Sequence, residues 1–341
     1  MTQFPTTLPL PSKLATRWYS ERTYGVEEIP PLAALGMRKR DEGLRISVGI
    51  PALNEAATVG RICRVIHREL MEKVPLVDEL IVLDGNSVDE TALRAEAAGA
   101  RVVDVASLMP EIAMVGGKGE SLWRSLTAIS GDIVVWVDGD IRNFKPHLVT
   151  RLVAPLIMDP TLDFVKGFYE RPIEIDGVMH PKGGGRVTEL LARPLLGLIF
   201  PELGGFLQPL AGEYAGRAEV LRRVPFLSGY SVEVGLLIDL LDVVGLDGMA
   251  QVDLGRRVHR NRPLEELGPM AHAIAGTILR RAEERGRLQS VVDFPLHPLL
   301  MRDPSGRLQA RPFDEIERPP IDLTPPYIAA LRENASASLA R

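Results

Sequence analysis

Asp138 and Asp140 stand one glycine apart at the end of "GDIVVWVDGD", residues 131–140. The run Ile133, Val134, Val135, Trp136, Val137 just before them is continuously apolar, the pattern of a central parallel strand covered on both faces. Two carboxylates placed together repel each other unless a cation or a ligand's hydrogen-bond donors lie between them. Hard carboxylate oxygens hold Mg2+ or Mn2+, and a metal held there offsets the charge that grows on a diphosphate leaving group. Asp-x-Asp alone is common and reads more plainly as a solvated turn. The buried strand that delivers it favours the diphosphate reading.

Other stretches carry compatible chemistry. "PALNE", residues 51–55, can hold a nucleoside through backbone groups, Asn54 and Glu55, although Asn54 can equally cap the helix that follows. "GGKGE", residues 116–120, places Lys118 near a helix start, a contact for an anion or nucleotide, without the spacing of a Walker loop. In "KGGGRVTE" glycines allow close backbone approach, Arg186 supplies a forked donor and Thr188 a hydroxyl; the plainer reading is a turn and a helix start. "GRRVHRNRP" packs arginines around His259, ordinarily a solvated basic face, yet an imidazole there could complete a metal and diphosphate site.

These loops need a frame. Strands are predicted at Ile46–Ile50, at Leu80–Leu83, in "ARVVDV" and in the run ending at Asp138, alternating with helices. The helices run from about Ala57 to Met71, from the Ser87/Glu90 capping box to Gly99, and after "GGKG" with Leu122, Trp123, Leu126 and Ile129 on one face. Such alternation predicts an α/β fold with a parallel, doubly wound sheet and ligands at the carboxyl ends of the strands. "PALNE", "LDGNS" and "DGD" then converge on one crevice. Further on, a strand "DFVKGFYE" and helices near 187–198, 232–244 and 263–285 are expected. Residues 1–44 show no clear period and read as an arm. Residues 45–288 read as the catalytic domain, with a nucleotide-binding half 45–141 and an acceptor half 142–288. Residues 289–341 read as a proline-rich extension with a frayed end, "ENASASLAR".

Composition bounds the function. The chain has 341 residues, 45% hydrophobic and 25% charged, with a net charge of −5 that argues against a general nucleic-acid binder. The single cysteine, Cys63, excludes an intramolecular disulfide and shares an apolar stripe with Val59, Ile62, Ile66 and Leu70, as a buried structural thiol would. The amino terminus lacks the apolar core of a signal peptide. The hydrophobic stretches around 190–207 and 232–248 carry too many charges for a spanning helix. A cytoplasmic protein without a membrane partner is the expectation.

Taken together, "PALNE", "LDGNSVD", "GGKGE", "GDIVVWVDGD", "GGGRVTELLARPLL", "PLAGEYAGR", "GYSVEVGLLID" and "VHRNRPLEELG" resemble the mannosyl-3-phosphoglycerate and glucosyl-3-phosphoglycerate synthases of glycosyltransferase family 81, over about residues 45–270. The resemblance implies a GT-A fold, a nucleotide-sugar donor (GDP-mannose, or GDP- or UDP-glucose), 3-phosphoglycerate as acceptor, retention of configuration, a divalent metal (Mg2+ or Mn2+) and a homodimer.

By motif, it assigns Pro51, Ala52, Leu53 and Glu55 to the nucleoside, with Ser87 and Lys118 on the nucleotide side, Asp138 beside the ribose and Gly139 next to it. Asp140 and His259 would coordinate the metal. Gly185, Arg186, Thr188 and Asn261 would bind the acceptor. Glu233 would touch the sugar hydroxyls with Tyr230 close by, making Asp140, Glu233 and His259 the catalytic set. Glucosyl relatives often carry Asp-Ser-Asp where this chain has Gly139, which tilts the expectation toward mannose. The competing readings are an inverting family 2 transferase acting on a lipid phosphate or polysaccharide, and a non-catalytic sugar-nucleotide sensor.

Overall fold

The computed structural model describes residues 10–171, 173–175, 178–180, 184–257, 264–288, 299–302, 308–311 and 315–339. Its centre is an eight-stranded sheet. The strands are β1 (Thr23–Tyr24), β2 (Ile46–Ala52), β3 (Glu79–Asp84), β4 (Arg101–Asp104), β5 (Ile133–Trp136), β6 (Phe164–Glu170), β7 (Tyr214–Arg217) and β8 (Met249–Arg256). They lie in the order β1-β8-β6-β7-β5-β2-β3-β4. All are parallel except β7, which runs antiparallel between β5 and β6.

The apolar run of β5 is buried on both faces, as its composition requires. Ile133 and Val135 join Ile46, Val48 and Ile50 of β2 in one core, with the helix His147–Met158 packed there. Val134 and Trp136 point the other way, against Leu122, Trp123 and Leu126 of the helix Lys118–Ala128. The register Ala52↔Asp84 brings the ends of β2 and β3 level, and β5 ends beside Gly49 of β2. The loops after these three strands therefore open on one edge of the sheet, as the alternation predicts. Cys63 is fully buried on the helix Val59–Ile66, and burial pushes its thiol up to about 12.

Four local expectations are corrected. Ser87 does not cap a helix. The helix begins at Thr91, whose amide donates to Asp89, while Ser87 Oγ accepts the amide of Asn54 at 3.0 Å and ties the first two loops together. Asn54 in turn accepts the amide of Val88 at 2.9 Å and does not cap the helix after it. The amino-terminal residues 10–41 are largely helical, Leu10–Arg22 and Leu32–Asp41, and β1 extends the sheet edge. Trp18 anchors them, fully buried, with Nε1 donating to Met249 O at 2.8 Å and its ring 4.3 Å from Phe206. At the other end the helix Pro325–Leu339 runs through most of the segment expected to fray. Among the described residues no helix is long and apolar enough to cross a membrane.

Candidate active site

At the carboxyl edge of the sheet lies a cavity of about 570 Å³. Its wall includes Pro51, Ala52, Leu53 and Glu55 from the loop after β2, Asp138, Gly139 and Asp140 from the loop after β5, and Lys118 from the start of its helix. Gly185, Arg186, Thr188, Tyr230 and Glu233 line it as well. Sequence reasoning thus places most of its site residues in one cavity. Ser87 stands just behind the wall, where it fixes the first loop through Asn54. His259 and Asn261 lie outside the described residues.

The two aspartates that end β5 are held by a cation of the chain itself. Arg257 Nη2 donates to Asp138 Oδ2 and to Asp140 Oδ1, both at 2.9 Å. Its Nη1 donates to Tyr169 Oη at 2.7 Å and lies 2.5 Å from Glu213 Oε1. On the other side of Asp138, Lys118 Nζ donates to Oδ1 at 2.6 Å and reaches Glu233 Oε1 at 3.0 Å. Burial alone would raise the Asp138 carboxyl, but Lys118 and Arg257 outweigh it and hold it far below the usual carboxylate range. The same partners keep Lys118 and Arg257 protonated against their own burial. For Glu213, burial prevails over Arg257 and its carboxyl is raised.

Backbone geometry makes room for this pair. A Cβ on Gly212 would stand 2.4 Å from Lys118 Nζ and 2.6 Å from Asp138 Oδ2, so only glycine leaves the ion pair its present place. Behind it, the buried Lys166 donates to Ala211 O at 2.8 Å and sits 4.5 Å over the Tyr214 ring. Burial brings its ammonium down to about 7.

Arg257, Glu213, Tyr169, Lys166 and Arg171 were not singled out by the sequence. Arg257 belongs to the visible arginine run, but nothing local distinguishes it from Arg256, which is exposed while Arg257 is buried. Arg171 donates to Tyr169 Oη at 2.8 Å and lines the cavity beside Gly185, adding a cation to the Arg186 side.

The residues present fit a divalent metal on a diphosphate. Asp140 offers a hard carboxylate whose side chain is 42% exposed at the cavity. Among the described residues no three metal-ligating side chains converge, and His259, the second expected ligand, lies outside them. Bound there, a metal would supply charge neutralisation for the leaving diphosphate.

No protein-family model matches the chain. It is 41% identical over 309 residues to the glucosyl-3-phosphoglycerate synthase of Petrotoga mobilis, covering 90% of this chain and 95% of that protein. The chain belongs to this synthase family. Its architecture is the GT-A type of the family's solved structures. That of the mannosyl-3-phosphoglycerate synthase of Rubrobacter xylanophilus superposes with a TM-score of 0.81 at 42% identity, over 90% of this chain and 97% of that one. The Mycobacterium tuberculosis glucosyl-3-phosphoglycerate synthase, solved with Mn2+, UDP-glucose and phosphoglyceric acid, gives 0.74 at 44% identity, over 88% and 98%. A further structure of that enzyme holds Mg2+ and UDP.

Proposed function

We propose that this synthase transfers a hexose, glucose or mannose, from a nucleoside-diphosphate sugar to 3-phosphoglycerate with retention of configuration, using Mg2+ or Mn2+. The observation that carries the reading is the charge layout of one cavity. Around the Lys118–Asp138–Arg257 array the same cavity is lined by Pro51, Ala52, Leu53 and Glu55, by a metal-capable carboxylate, Asp140, and by a cationic turn of Arg186 with Arg171. Arg186 and Gly185 receive the acceptor's anionic groups, a role to which Thr188 and Asn261 are also assigned. Asp138 meets the ribose, and Tyr230 with Glu233 faces the hexose. Asp140 and His259 hold the metal.

Both Asp138 and Glu233 are engaged with Lys118, which favours transfer on the donor's front face over a covalent glycosyl-carboxylate. Front-face transfer lets the leaving oxygen take the acceptor's proton. Gly139 bears on the nucleoside side: a Cβ there would meet Pro51 O at 3.2 Å and Glu55 Cγ at 3.5 Å. Choice of hexose is therefore better assigned to the Tyr230–Glu233 end, and the tilt toward mannose drawn from Gly139 loses its footing. The cationic acceptor turn, with the 41% identity to a glucosyl-3-phosphoglycerate synthase, favours this reading over a lipid- or polysaccharide-directed transferase, and the metal-capable Asp140 favours it over a non-catalytic sensor. We further propose a cytoplasmic homodimer whose product feeds compatible-solute glycerates or glucosylglycerate-based polymers.

Arg186→Ala tests the acceptor assignment. The guanidinium's forked donors have no substitute in alanine, so KM for 3-phosphoglycerate should rise about 10- to 100-fold while donor affinity changes little. Glycerate lacking the phosphate should be a poor acceptor of the unaltered enzyme. If the variant lost nucleotide-sugar binding and kept its acceptor KM, the glycine-rich turn would belong to the donor.

A further inference from the structure

Residues 315–319 are remote in sequence from every motif of the cavity, yet they pack directly behind two of them. The strand Glu317–Arg318 pairs antiparallel with Phe226–Leu227. Ser228 N donates to Ile316 O at 2.9 Å, and Ile316 N donates to Ser228 Oγ at 3.0 Å. Arg318 grips the buried Glu120 with two bonds of 2.8 and 2.9 Å, and Trp123 Nε1 donates to Pro319 O at 2.8 Å. Glu120 and Trp123 lie on the helix that begins at Lys118. One short strand therefore ties that helix to the loop that leads into Glu233.

Glu315 reaches closer still. Its Oε1 accepts the amide of Ser231 at 3.3 Å, and the amide of Tyr230 also faces the carboxylate. Ser231 is the cap of the helix Val232–Val243, so this carboxylate satisfies backbone donors at the positive end of the helix that carries Glu233. Gly229 leaves it the space: a Cβ there would stand 2.4 Å from Oε1. Burial, with Glu233 adding to it, raises the carboxyl.

We propose that Glu315 is a positioning residue for hexosyl transfer: by holding the amides of Tyr230 and Ser231 it fixes the start of the helix that presents Glu233 to the hexose. This rests on the reading of Tyr230 and Glu233 as the hexose end of the site. The carboxyl-terminal segment then supports the cavity wall from behind.

The test compares Glu315→Ala, Glu315→Asp and Glu315→Gln by steady-state kinetics, with UDP affinity measured by titration. Ala and Asp, which lack an acceptor of the right reach, should lose about 10-fold or more in kcat, while UDP Kd and the KM for 3-phosphoglycerate stay within about two-fold. Gln keeps an oxygen of the same reach and should restore most of kcat. The proposal is overturned if Ala turns over normally, if Gln is as impaired as Asp, or if UDP affinity falls in step with turnover. Should Ala fail to fold, the contrast between Gln and Asp decides. Glu233→Gln separates the underlying reading: normal turnover there removes the hexose role itself, whereas an impaired Glu233→Gln beside a normal Glu315→Ala removes only the positioning role.

Discussion

Replacing Lys118 by methionine removes the one cation among the described residues that touches both Asp138 and Glu233. The distances are 2.6 and 3.0 Å, and the side chains are 27% (Lys118), 23% (Asp138) and 9% (Glu233) exposed. At an effective dielectric near 20 each pair has a gross attraction of about 6 kcal/mol, most of it offset by the desolvation of the charges. Removing one partner leaves that desolvation uncompensated, which costs about 3–5 kcal/mol for a fully buried pair. Asp138 keeps Arg257 as a partner, so most of the loss falls on Glu233. The expected destabilisation is about 3 kcal/mol, read as a lowered urea midpoint with an unchanged slope near neutral pH. Adding Glu233→Gln to this variant removes the stranded charge and should restore about 2 kcal/mol. If Lys118→Met lay within about 1 kcal/mol of the unaltered protein, or if the second substitution lowered stability further, the electrostatic account of this array would be wrong.

Asp140→Asn keeps the shape and loses the charge, so turnover should fall by about 100-fold or more; near-normal activity at limiting metal would remove Asp140 from the metal site. Lys166 predicts a pH dependence. Its ammonium titrates near 7 in the folded chain against about 10.4 in the unfolded one, so over that window the unfolded chain binds the extra proton and stability rises with pH. Lys166→Met should flatten this rise in denaturant titrations between about pH 7 and 10, and an unchanged slope would show that the amine titrates normally.

Much of the site was legible because strand ends are local features. The apolar run before Asp138, the loop after β2 and the lysine at a helix start could each be read in a few residues, and the parallel alternation placed them on one edge. What escaped depended on distance. The β7 strand, Tyr214–Arg217, is only four residues long and includes Gly216, so its antiparallel insertion has no periodic signal. The amino-terminal helices are mostly polar and are held by Trp18, whose partners lie far along the chain. Ser87 had the spacing of a cap, yet a tertiary bond to Asn54 took its oxygen. Arg257 turns inward just past the register pair Arg256↔Glu170, and an arginine run cannot announce which member that will be. Glu315 sits in a proline-rich stretch with no motif at all.

Hexosyl transfer to 3-phosphoglycerate is tested by incubating the protein with Mg2+ or Mn2+ and each of UDP-glucose, GDP-glucose and GDP-mannose, labelled in the sugar, with and without 3-phosphoglycerate. The expected product is a labelled, phosphate-bearing hexosyl glycerate from at least one donor, formed only with acceptor and metal, whose anomeric configuration by NMR matches that of the donor. No transfer from any donor, or a product of inverted configuration, would contradict it.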